Sequence, residues 1–144
     1  MNRLKKLAVI MSYITIACVP VLAADFDGSR NLICASMDVI ECNAAEKCQE
    51  VTPESIMAPR FVKINFQDNT VSNPSLSESR TASKIERMEQ VDGKLILQGA
   101  EDGLEDVRDG LGWTIAIAED TGNMVLTASG DQVGFVVFGA CIPQ

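Results

Sequence analysis

Five cysteines stand in this chain, and the spacing of four of them limits the fold more than any other feature. Cys18 lies in an N-terminal stretch laid out like a cleavable leader, which leaves Cys34, Cys42, Cys48 and Cys141. An even number in a small exported chain reads as two disulfides, with three ways to pair. Residues 31–42 read as one extended segment with Ile33, Ala35, Met37 and Val39 on one face. Along a strand, Cys34 and Cys42 stand roughly 26 Å apart, far beyond disulfide reach. Of the two pairings left, Cys42–Cys48 with Cys34–Cys141 is preferred. The five residues between Cys42 and Cys48 suit a bridged hairpin tip, and the other bond ties the first strand to the last. A metal site of Cys42, Cys48 and a third thiolate is the competing reading, and spacing and compartment both argue against it.

The leader itself begins with Arg3, Lys5 and Lys6, followed by an apolar run over residues 7–17. Pro20 ends the run, and Val21-Leu22-Ala23 supplies small residues where a signal peptidase accepts them. Residues 1–23 are therefore expected to be a signal peptide and residues 24–144 a single exported domain, periplasmic or extracellular. A retained anchor would be barely long enough to span and would contain Ser12, Thr15 and Pro20. A lipoprotein would use Cys18, but Thr15 sits where a branched aliphatic residue is expected. After cleavage, nine of the 12 basic residues face 20 acids, a net charge of −11. The chain has no histidine. A His-based triad, a His-ligated zinc or haem and a basic nucleic-acid surface are thereby excluded. No nucleic-acid partner and no membrane span after leader removal are expected.

The remaining 121 residues suffice for one core. Residues 61–67 place Val62, Ile64 and Phe66 on one face and Lys63, Asn65 and Gln67 on the other, before a turn at Asp68-Asn69-Thr70. The serine-rich residues 72–83 read as a mobile loop. Asp92-Gly93 marks a hairpin leading into a strand over residues 94–99. Trp113, Ile115 and Ile117 alternate with polar or small residues, Gly122 turns the chain, and Met124, Leu126 and Ala128 form the returning apolar face. After a turn at Ser129-Gly130-Asp131, residues 133–139 are apolar on both faces. Ile85, Met88 and Val91 recur at helical spacing, yet the segment abuts a hairpin turn, so a bulged strand is preferred to a short helix. Asp102-Gly103-Leu104 recurs as Asp109-Gly110-Leu111, a short duplication within one loop.

Seven to nine strands with almost no helix give an all-β class. The expected architecture is an antiparallel up-and-down barrel of about eight strands, with a two-sheet sandwich as the alternative. A Cys34–Cys141 bond favours the barrel, because closure brings first and last strands together and removes two exposed edges.

Several motifs together resemble a group of small exported bacterial proteins of unknown function. They are Phe26-Asp27-Gly28-Ser29 with Leu32-Ile33-Cys34-Ala35, Glu41-Cys42 and Cys48, then Thr52-Pro53-Glu54-Ser55 with Pro59-Arg60-Phe61, and Leu95-Ile96-Leu97-Gln98-Gly99. The likeness is strongest from Thr121-Gly122 through Leu126-Thr127-Ala128-Ser129-Gly130-Asp131 to Gly134-Phe135-Val136-Val137-Phe138-Gly139-Ala140-Cys141. It covers nearly all of the mature chain and implies no activity. The longer link between Gly99 and Gly112-Trp113 departs from the pattern.

Candidate chemistry is sparse. Glu101, Asp102, Glu105, Asp106 and Asp109 cluster near Gly103 and Gly110, which allows weak Ca²⁺ binding, although the spacing is not that of an EF-hand. The blander reading is a solvated tip held open by repulsion. Accidental carboxylate pairs are inevitable among so many acids, so a carboxylate-based hydrolase of the cell envelope is only an alternative. Ser129 lacks both the Gly-x-Ser-x-Gly frame and a histidine. Gly130 and Gly134 are followed by no helix that would make a phosphate loop. Trp113 reads first as a plug at one barrel end with Phe135 or Phe138, and second as the floor of a ligand cavity. Arg60 reads as a ligand clamp or, more simply, as a partner for surface acids. The expected function is a non-catalytic exported domain without a cofactor, binding a small apolar ligand or an envelope protein. Trp113, Arg60 and Phe135 are its candidate ligand residues. An acidic Ca²⁺-binding accessory is the remaining alternative.

Overall fold

Period-two alternation dictates the architecture, because successive side chains of a strand point to opposite faces. A computed structural model of the chain describes residues 25–75, 82–103, 106–107 and 109–144. The expected signal peptide lies outside the described residues. The strands are β1 (Leu32–Asn43), β2 (Gln49–Val51), β3 (Phe61–Asn65), β4 (Thr70–Ser72), β5 (Ser83–Val91), β6 (Lys94–Glu101), β7 (Leu111–Ala118), β8 (Asn123–Ser129) and β9 (Val133–Pro143). One turn of 3₁₀ helix, Pro53–Ile56, joins β2 to β3. All pairings are antiparallel, in the order β1-β3-β4-β5-β6-β7-β8-β9, and β9 returns to β1. The result is a closed eight-stranded barrel, with β2 as an extra strand on the far half of β1.

Closure runs along the whole of β1, from Leu32 opposite Pro143 to Asn43 opposite Val133. Cys34 and Cys141 face each other in this ladder and form a disulfide across it, with Cα atoms 3.9 Å apart. The second disulfide, Cys42–Cys48, bridges the β1–β2 hairpin. Both expected pairs are thus formed. The barrel interior is filled by Leu32, Ile64, Leu95, Leu97, Ile115 and Ile117, each at most 1% exposed. Eight strands leave an interior just wide enough for side chains to fill.

Alternation gives the correct inward face in β3, β7 and β8, where Val62, Ile64, Trp113, Ile115, Ile117 and Met124 are buried. The hairpin at Asp92-Gly93 carries positive φ at both residues, 50° and 71°, which fits the type I′ geometry that suits twisted strands. β5 is a strand, and its register with β6 shifts between Ile85 and Arg87. The bulge at Glu86 explains the spacing of Ile85 and Met88, which pair with Gly99 and Leu97, while Val91 pairs with Lys94 and is exposed.

Three expectations are corrected. Ile33, Ala35, Met37 and Val39 do not share a face, because the β1–β9 register shifts between Ser36 and Asp38. That bulge puts Leu32 and Cys34 inside on one side of it and Val39 inside on the other, while Met37 is 66% exposed. Thr70 is not a turn residue; it opens β4 opposite Asn65. Ser72 and Ser83, the ends of the expected loop, lie in strands and are buried. Residues 76–81 of that loop lie outside the described residues.

One barrel end is closed by the chain before β1. Phe26 and Phe66 pack against the core there. Phe26 lies over Gly122, whose φ of 72° and lack of a Cβ admit the ring. Gln90 Nε2 donates to the carbonyl of Asp27 at 3.0 Å, and Asn31 Oδ1 accepts from the Phe66 amide at 3.0 Å. The opposite end is the one with room.

Candidate functional site

At the open end the upper rows of the barrel leave a cavity of about 340 Å³. Its floor is built by Trp113 and Ile115 of β7, Val62 of β3 and Leu126 of β8. Phe135 and Val137 of β9 and Leu111 of β7 contribute apolar wall. Over it lies the segment after β2, with Ile56, Met57, Ala58 and Pro59 at the rim. Two features seat that segment. Thr52 caps the 3₁₀ turn, its Oγ1 accepting from the Ser55 amide, with Pro53 at the first position. Ser36 then holds the descending chain, its amide donating to Arg60 O at 2.8 Å and its hydroxyl to Pro59 O at 3.1 Å.

Trp113 is 7% exposed, and its indole Nε1 donates to Ser83 Oγ at 2.8 Å. The Ser83 hydroxyl in turn donates to Ala100 O at 3.3 Å. The polar edge of the ring is thus satisfied within the wall, and its apolar body is available to the cavity. Gly99 sits directly opposite in the ladder, and a Cβ there would strike both Lys84 O and the indole ring. A glycine at this strand position marks close approach by a neighbour.

The residues singled out from sequence are distributed as follows. Trp113 and Phe135 both line the cavity. Phe138 does not join them: it lies on the outside of β9, 41% exposed. Arg60 does not line the cavity and pairs with Glu54 through Nε. The Glu54 carboxyl is held below its ordinary value, first by its own backbone amide and then by the Arg60 guanidinium. Glu101 lines the rim. Asp102, Asp106 and Asp109 follow it on the β6–β7 loop, and Glu105 lies outside the described residues. Among the described residues, no three His, Cys, Asp or Glu side chains come together as ligands for a metal ion.

Ser36, Ser72, Ser83 and the Ile56–Pro59 rim were not foreseen as cavity residues. The Thr52-Pro53 pair was a usable signal for the rim, since it is a helix-start pattern. The serines carried none. Two roomier hollows of about 520 Å³ lie elsewhere, one on the outer face by Arg87, Gln98, Thr114 and Thr127, the other by Arg30, Asn31, Gln67 and Gln144. Both are more open and less apolar than the mouth, whereas binding sites for small molecules are mostly apolar and concave. No protein-family model, no curated protein and no solved structure matches the chain.

Proposed function

We propose that this chain is an exported, non-catalytic binding domain that takes a small apolar ligand into its barrel mouth. The observation carrying this reading is the cavity of about 340 Å³, floored by Trp113 and walled by Leu111, Phe135 and Val137 above a filled core. Its volume sits at the small end of the range for ligand pockets, about 300–1,000 Å³. Export is supported by the leader pattern and by two disulfides, which persist in oxidising compartments. Among the described residues no helix is long and apolar enough to cross a membrane. The resemblance to small exported bacterial proteins agrees with this placement and adds no activity.

Trp113 is the sole tryptophan and stands in the cavity floor, so its emission reports occupancy directly. Titration with n-octanol is expected to give a saturable emission change and a raised melting temperature. Ala128 lines the cavity, and Ala128→Phe should fill it and abolish both responses while the barrel stays folded. A folded Ala128→Phe protein that binds as well as the wild type overturns the reading. Mass spectrometry of protein purified natively from its host should show a co-purified apolar molecule.

A further inference from the structure

The mouth has a polarity of charge as well as an apolar wall. Among the described residues, Glu101 is its one charged lining residue, and no lysine or arginine lines it. Among the described residues, two basic side chains near the rim are paired: Arg60 with Glu54, and Lys84, which lies 3.7 Å from Glu86. Beyond Glu101 the described residues of the β6–β7 loop include Asp102, Asp106 and Asp109. The neutral polar groups at the cavity are the serines and Asn73, with Ser72 only 6% exposed.

We propose that the mouth selects its apolar ligand by charge, taking an amphipathic amine in preference to an acid. The inference rests on the mouth being a ligand site. The apolar body enters between Trp113 and Val137, and the ammonium group remains at the rim beside Glu101. An acid of the same length would place its carboxylate against Glu101, with no lining cation among the described residues to meet it. Like charges brought together at a low-dielectric wall repel, and the penalty is screened by salt. A fatty acid or anionic lipid is therefore the wrong class of guest.

Three probes of equal chain length separate the terms: n-octylamine, n-octanol and octanoate, which are cationic, neutral and anionic at neutral pH. Their affinities for the full domain, read from Trp113 emission, should fall in that order at about 0.01 M salt. Each step should be up to about fivefold, the range of one exposed charge pair. At about 1 M salt the three should converge. Glu101→Gln should reduce the amine's advantage at least about twofold, within the same range. Asp120→Asn, in the turn at the closed end, should leave it unchanged. Octanoate binding as tightly as octylamine, or an order indifferent to Glu101→Gln, overturns the charge selection and leaves the mouth intact. Failure of all three probes to bind removes the mouth itself and this inference with it.

Discussion

The indole Nε1 of Trp113 donates to Ser83 Oγ at 2.8 Å, a buried hydrogen bond between residues 30 positions apart. It joins β7 to the start of β5 across β6, at the level where the filled core gives way to the mouth. Ser83→Ala removes the acceptor of this buried indole donor. The expected loss is about 1–3 kcal/mol, the cost of an unsatisfied buried polar group. Urea denaturation should show a lower midpoint at unchanged slope. Adding Trp113→Phe to Ser83→Ala should cost less than the sum of the two single losses, because the donor is then absent.

Two glycines in the same region make an internal control. Gly99→Ala forces a Cβ into the Trp113 ring and the Lys84 carbonyl. Overpacking of this kind costs about 1–3 kcal/mol. A Cβ at Gly112 meets nothing within 4 Å. Gly112→Ala is expected to be neutral, or stabilising by up to about 1 kcal/mol through the unfolded chain. Comparable destabilisation by both would mean that the indole is not packed over Gly99.

The disulfides should contribute unequally. Cys34–Cys141 closes a loop of 107 residues and Cys42–Cys48 one of 6. On the chain-entropy account these are worth about 4–5 and about 2 kcal/mol. Paired Cys→Ala substitutions at each bridge, compared by urea midpoint, should show the larger loss at the barrel seam. Non-reducing peptide mapping should recover the same two pairs.

Strand phase in β3 has a direct test. Val62 and Ile64 are 5% and 0% exposed, while Lys63 is only half-buried on the other face. Ile64→Asp should unfold the domain, because an unpaired charge in the core costs several kcal/mol. Lys63→Gln should cost under about 1 kcal/mol, the usual value of a surface charge interaction. Circular dichroism distinguishes the outcomes.

Acid stability should include a small contribution from two carboxylates. Asp27 is held below its ordinary 3.8, first by the Ser29 side chain and then by the Ser29 backbone amide. Glu54 is held below its ordinary 4.5 by its own amide and by Arg60. A depressed folded pKa adds stability above the unfolded value, and that stability is lost as pH falls through the folded one. The loss should therefore begin below pH 4.5 for Glu54 and below 3.8 for Asp27, and deepen as the solution becomes more acid. Arg60→Gln should flatten the Glu54 portion of a melting-temperature profile over that window and leave neutral-pH behaviour nearly unchanged. Both carboxylates are solvent-exposed, so the effect is small.

Local features of the fold are legible in the sequence alone. Asp92-Gly93 specifies its turn because backbone sterics at positive φ are a property of the residues themselves. Val62-Lys63-Ile64 and Trp113-Thr114-Ile115 declare their inner faces because one face of each is apolar and the other is not. Cysteine spacing, together with the reach of an extended segment, pointed to the seam between β1 and β9.

Residues 133–139 show where this stops. With both faces apolar, alternation cannot say which is inside, and Val137 went in while Phe138 went out only because of the register with β1 and β8. The bulges at Met37 and Glu86 likewise depend on partner strands far away in sequence, since an extra residue has meaning only against the strand it fails to match. The mouth is the extreme case. Ile56, Trp113, Phe135 and Glu101 come from separate elements, and no local preference brings them together; ring closure of the sheet does, and with it the cavity exists.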